Sequence, residues 1–216
     1  MNLLFSYLGL AGGVLCAIGD ILLDLKGKDN QKLGKSGNID SSWTRMAYWR
    51  FGVSIMLAFC GVVLIGFGIY SLADQIKPKN SALAGIIAVL GYVGVVSGLF
   101  NHGVLCLQAV IYKKIMESDN FDLADTTLEA YYKAITPPFF VGCLFILVEA
   151  VCVAAAVALK YLAVPAWFVV LNPLAFLIIG ICLRKLKKEW FYDLPGIVLP
   201  SLGLGMYGLI GIVSLL

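Results

Sequence analysis

Among the polar side chains inside the long apolar runs of this sequence, seven are acidic, amide or imidazole: Asp20, Asp24, Asn101, His102, Gln108, Glu149 and Asn172. A polar or ionisable group in such surroundings is costly unless it is paired or reaches water, so each is a candidate for function. Asp20 and Asp24 are four residues apart and share one face of a helix. Gly9, Gly13 and Ala17 fall on nearly the same face, where small residues let a second helix approach closely. His102 is the only histidine. It follows Asn101 at the end of a face made by Gly91, Gly94 and Gly98. Imidazole exchanges a proton near neutral pH, which makes His102 the candidate general acid or base, with Asp20 the carboxylate that would orient it. A lone histidine bonded across helices is the commoner arrangement.

Asp24, Asn101, Glu149 and Asn172 are the candidates for binding. Asp24 is also placed to reach the interface and bind lysines of the first loop. Glu149 lies near the middle of its run, with Gly142 and Ala156 seven residues to either side. It reads equally as a proton or cation site and as a neutral acid bonded across helices. Asn172–Pro173 frees a backbone carbonyl and breaks or kinks a helix, and broken helices occur at transporter binding sites. One histidine and two carboxylates are a thin donor set for a metal, so neither a metal nor another cofactor is expected.

The elements that position these residues follow from composition. The chain has 216 residues, 61% hydrophobic and only 13% charged, against about 25% charge in a soluble domain. That balance cannot cover a water-facing globule, and it fits an all-α integral membrane bundle. Runs of about 20 apolar residues match the hydrocarbon core of a bilayer. Six are present, near 3–25, 47–72, 82–111, 138–159, 164–183 and 196–216, in a single transmembrane domain. The first has no Lys or Arg ahead of it and ends in Asp20 and Asp24, so it reads as a span and not as a cleaved signal. Membrane-spanning strands are not expected, because an open sheet edge in lipid leaves backbone groups unsatisfied and the alternation of a barrel is absent.

Thirteen of the sixteen Lys and Arg fall in the first, third and fifth loops; Lys77, Lys79 and Lys160 are the exceptions. This asymmetry predicts that the basic loops are cytoplasmic and both termini outside. The first loop, rich in Gly, Lys, Asn and Ser, is expected to be flexible. In the third, a short interfacial helix is expected from Leu123 to Ala134, with Asp122 as N-cap and Tyr131 and Tyr132 near the headgroups. The fourth and fifth spans are expected to form a tight hairpin around Lys160–Ala163.

Several function classes are excluded. A net charge of +3 without a basic, aromatic-interleaved patch argues against a nucleic-acid partner. The six cysteines all lie in apolar stretches, with no Cys-x-x-Cys pair, so neither a disulfide framework nor a zinc site is indicated. Gly34-Lys35-Ser36 lacks the upstream glycine of a phosphate-binding loop.

Gly19-Asp20-Ile21-Leu22-Leu23-Asp24 resembles a Gly-Asp-x-Leu-Leu pattern in an uncharacterised family of bacterial polytopic inner-membrane proteins. Asn101-His102-Gly103, followed by Ile111-Tyr112-Lys113, is similar to their third span. The resemblance implies a bacterial inner-membrane protein and no particular activity. A more distant likeness is to the lysoplasmalogenase family, which also has a Gly-Asp motif in a membrane helix. Its eight spans and further acidic motifs are not matched, so its activity is not carried over.

Three functions are therefore in competition. The first is a small binding or transport protein with a polar intramembrane site for a proton, cation or small solute. The second is a structural or accessory subunit, with oligomers formed through small-residue helix faces. The third is an intramembrane lipid-modifying hydrolase using His102 and Asp20.

Overall fold

The computed structural model describes residues 1–186 and 198–216. Among these it contains six α-helices: α1 (Asn2–Asp24), α2 (Tyr48–Ile76), α3 (Ser81–Met116), α4 (Phe121–Ala158), α5 (Pro173–Leu186) and α6 (Val198–Leu215). All but α5 are long and apolar enough to cross a membrane. Leu, Ile, Val and Phe face outward all round the bundle, as lipid-solvated helices allow. The all-α membrane fold expected from composition is what forms.

Hydrogen bonds show which loops share an end. Lys35 of the first loop donates its backbone N–H to Asp125 at the start of α4, and Tyr48 donates to Glu117 between α3 and α4. The first and third loops thus lie together at what is called here the basic end. At the far end, Asn2 donates to Asp74, and the Ala163 N–H donates to Ser214. Both termini, the α2–α3 turn and the α4–α5 connection therefore share that far end. The α5–α6 connection, with Lys187 and Lys188 and the start predicted for the sixth span, lies outside the described residues.

Glycine sets the closest helix contacts. A β-carbon on Gly9 would strike Gly68 of α2, and one on Gly13 would strike Gly205 of α6. α1 is thus clasped between α2 and α6 with backbones touching, the packing that small residues make possible in lipid.

Three sequence expectations are corrected. The first loop is folded. Lys32–Leu33 pairs antiparallel with Ile39–Asp40, in the register Lys32 opposite Asp40. Gly34 and Gly37 supply positive φ angles in the connecting turn, and a 3₁₀ turn follows at Ser41–Thr44. Its polar composition hid four apolar anchors: Leu33, Ile39, Trp43 and Met46 pack on Cys106, Ala109 and Tyr112 of α3 and on Ala124 and Leu128 of α4. Trp43 meets the Tyr112 ring edge-on at 5.8 Å.

The predicted interfacial helix is not separate either. It is the first third of α4, which runs unbroken through Pro137 and Pro138. Its cap is Asn120, not Asp122: the Asn120 side-chain Oδ1 accepts from the Leu123 N–H at 3.0 Å. Each proline removes one helical donor, but membrane helices tolerate this when neighbours satisfy the freed groups.

The fifth predicted span is not one helix. A 3₁₀ turn at Ala166–Val170 precedes a break, and α5 starts at Pro173. The described part of α5, fourteen residues, reaches about 21 Å. Pro173 is buried against Gly203 of α6, which places the break inside the bundle.

Candidate functional site

Asp20 and His102 meet, as the sequence suggested. Asp20 Oδ1 lies 3.1 Å from His102 Nδ1, with both side chains buried. The other ring nitrogen, Nε2, lies 2.8 Å from the Ser54 hydroxyl of α2, which also lies 2.7 Å from the Gly19 carbonyl. Cys106 donates to the same hydroxyl at 3.6 Å. The result is a Ser–His–Asp array spanning three helices. Ser54 went unnoticed in the sequence because a single serine in an apolar run is unremarkable until its helix face is known. The only available signal was helical phase: Ser54 and Ala58 are four residues apart, and both face α1.

Donor accounting shows what this array does in the observed arrangement. A serine hydroxyl has one hydrogen. With that hydrogen on the Gly19 carbonyl, Ser54 offers His102 only lone pairs, so Nε2 carries a hydrogen. The contact between Nδ1 and Oδ1 then holds one shared proton, as imidazolium with carboxylate or as imidazole with carboxylic acid. The pair is net neutral in both forms. Asp20 Oδ2 has no hydrogen-bond partner, so one acceptor remains open beside it.

Asp24 ends α1 one turn beyond Asp20. Its Oδ1 pairs with Lys26 at 3.0 Å, and Lys26 also pairs with Asp40 at 2.9 Å. Lys32 and Asn30 bind the other Asp40 oxygen. The Asp24 side chain thus meets a loop-one lysine, as its position near the interface suggested. Burial alone would push the Asp40 carboxyl up, but Lys26, Asn30 and Lys32 together hold it below its ordinary value of 3.8. Burial likewise opposes the charge on Lys26, and Asp24 and Asp40 override it, raising the ammonium above 10.5.

Asn101 turns the other way, toward Gly142 of α4, beside Ser97. Its Oδ1 is buried without a partner. Asn172 is committed locally: it donates to the Val169 carbonyl at 2.7 Å and accepts from the Ala175 N–H at 3.0 Å. It therefore bridges the 3₁₀ turn to α5 and caps the break. Gln108, also singled out among the intramembrane polar groups, donates to the Asn38 carbonyl and so helps hold the first loop.

Glu149 stands apart. It is completely buried, and neither carboxyl oxygen has a hydrogen-bond partner. It packs on Gly91 of α3, where a β-carbon would collide with Oε1. Gly91 is eleven residues from His102, roughly 16 Å along the helix. Glu149 and the Asp20–His102 pair therefore belong to two sites, not one. Between them Ile146 lies across Gly94 and Gly98, an apolar side chain separating Ser97 and Asn101 from Glu149. The Tyr207 hydroxyl of α6 is also fully buried without a partner and lies within electrostatic range of Glu149. Among the described residues no three His, Cys, Asp or Glu side chains gather as a metal-binding group.

Comparison with known proteins returns no match among curated proteins and none among solved structures. The sequence profile of one family, described as a family of unknown function (DUF6796), matches residues 1–216, and the chain belongs to that family.

Proposed function

We propose that this multi-pass membrane protein is a small binding or transport protein in which Glu149 holds a proton or cation within the bilayer. One observation carries the reading: the Glu149 carboxyl is fully enclosed, yet both oxygens are unpartnered. A glutamate that only joined helices would be bonded across them, as Ser54 and Asp20 are. An unbonded carboxylate in that position is expensive unless a proton or cation neutralises it. The break before α5, within the bundle, gives the arrangement a second transporter-like feature.

The reading includes an orientation. The basic loops face the cytoplasm and both termini lie outside, in a bacterial inner membrane, on the strength of the charge asymmetry. The test is flux in proteoliposomes. Glu149→Gln should abolish proton- or cation-coupled flux while the purified protein keeps its helical circular dichroism. Unchanged flux in a folded Glu149→Gln protein would refute the proposal.

The geometry of Ser54, His102 and Asp20 favours a second reading, an intramembrane hydrolase acting on lipid. Against it, the Ser54 hydroxyl is fully buried and points at the Gly19 carbonyl. Turnover of a lysolipid panel that disappears in Ser54→Ala and His102→Ala would support this reading over the first.

A further inference from the structure

A β-carbon at Gly91 would strike both Glu149 Oε1 and the Cγ2 of Ile69 on α2, so these two side chains adjoin over the glycine. Ile69 is in turn part of the wall of a groove of about 430 Å³ between α1, α2 and α3. Its other walls include Phe5, Phe67, Tyr70 and Tyr92. Phe5 meets Phe67 at 5.0 Å and Tyr70 at 6.0 Å between ring centroids. Tyr70 and Tyr92 are well exposed toward the bilayer. No lysine, arginine or other charged residue lines the groove. Ile69 thus borders both an aromatic, lipid-facing groove and an unpartnered buried carboxyl.

We propose that the ligand of Glu149 is a hydrophobic organic cation, taken from the lipid through this groove. The inference rests on the reading of Glu149 as a cation or proton site and adds the class of substrate. A groove of this volume falls in the range that holds drug-sized molecules. Aromatic faces attract organic cations through their quadrupoles, most strongly when water is excluded. A carboxylate beyond them supplies the countercharge that no wall residue offers. The cation displaces the Glu149 proton, so the site exchanges one positive charge for another and is never left as a bare anion. Ile69 moves aside to join the two spaces. A neutral lipid chain would fit the groove but would have no use for Glu149.

The test is saturable binding of tetraphenylphosphonium to the purified full-length protein in detergent, with tetraphenylborate as the matched anion. A pH indicator in weak buffer reads proton release. The wild-type protein should bind the phosphonium, release about one proton per cation, and ignore the borate. Glu149→Gln, which keeps the shape of the side chain, should weaken binding by about a hundredfold, as loss of a low-dielectric countercharge implies. Phe67→Ala should weaken it by about fivefold, and Ile69→Ala, by shortening the side chain that borders both spaces, should tighten it.

Absent phosphonium binding, equal borate binding, or unchanged affinity in Glu149→Gln would each overturn the assignment. Reaction of Glu149 with dicyclohexylcarbodiimide separates the two claims. If Glu149 reacts and supports proton flux while no phosphonium binds, the substrate class is wrong and the proton site stands. If Glu149 neither reacts nor supports flux, both fall.

Discussion

Asp20 Oδ1 and His102 Nδ1 meet at 3.1 Å between α1 and α3, and the histidine's far nitrogen reaches Ser54 on α2. Three helices are thus joined through one imidazole in an apolar core. Removing one partner of such a pair leaves the other buried and unpaired, at a cost of about 3–5 kcal/mol. Asp20→Ala and His102→Ala should each lower the melting temperature in detergent markedly. The double variant should be much less destabilised than the two single losses added together. Additive losses would show that the contact does not couple the helices.

The hairpin of the first loop should respond to pH at both extremes. The Asp40 carboxyl is held below its ordinary value of 3.8, against burial, by Lys26, Asn30 and Lys32. Its contribution is fully present above pH 3.8 and is lost as pH falls through the lower, folded value. The Lys26 ammonium is raised above 10.5 by Asp24 and Asp40, again against burial. Its contribution is complete below pH 10.5 and is lost as pH rises through the higher, folded value. The fluorescence of Trp43, buried beneath the hairpin, should hold steady between these limits and change beyond them. Asp40→Asn should abolish the acid transition. A Trp43 signal that drifts evenly across neutral pH would contradict this assignment.

Glycines in the helices should separate into two groups. Gly12 faces the Gly61 carbonyl and the Ile65 backbone, whereas Gly66 and Gly85 face open space. Gly12→Val forces α1 and α2 apart and should cost at least the 1–3 kcal/mol typical of overpacking. Gly66→Ala and Gly85→Ala should leave the melting temperature within about 2 °C, as surface changes generally do. Thermal scans of the three variants in one detergent make the comparison.

Ile146 separates Ser97 and Asn101 from Glu149 by lying across Gly94 and Gly98. Ile146→Ala should open a space that water can enter from the polar side. Carbodiimide labelling of Glu149 should accelerate several-fold, and proteoliposomes should leak protons without substrate. A labelling rate equal to that of the wild type would mean that Ile146 is only packing.

The six apolar runs were legible because hydrocarbon solvation acts on every residue of a span. Finer features were legible only where one residue type dictates the geometry. Asn172–Pro173 signalled the break before α5, since proline cannot donate to the preceding turn. Proline does not break α4, which runs on through Pro137 and Pro138. The hairpin was missed because glycine and lysine dominate its composition, while four apolar side chains decide its fold. Asp20 and His102 stood out as rare charges in apolar runs. Ser54 did not, and the sequence does not show that Glu149 packs on Gly91, about 16 Å from His102 along α3. Those relations depend on which faces α1, α2 and α3 turn toward one another.

The clasp of α1 between α2 and α6 bears on how the chain is made. Synthesis delivers α1 well before α6, yet Gly13 packs on Gly205, and Gly208 rests on the backbone around Ser6 and Leu10. Until α6 emerges, one glycine-lined flank of α1 lacks the neighbour it has in the fold. Chains that stop before Val198 would carry an unfinished seam along that flank.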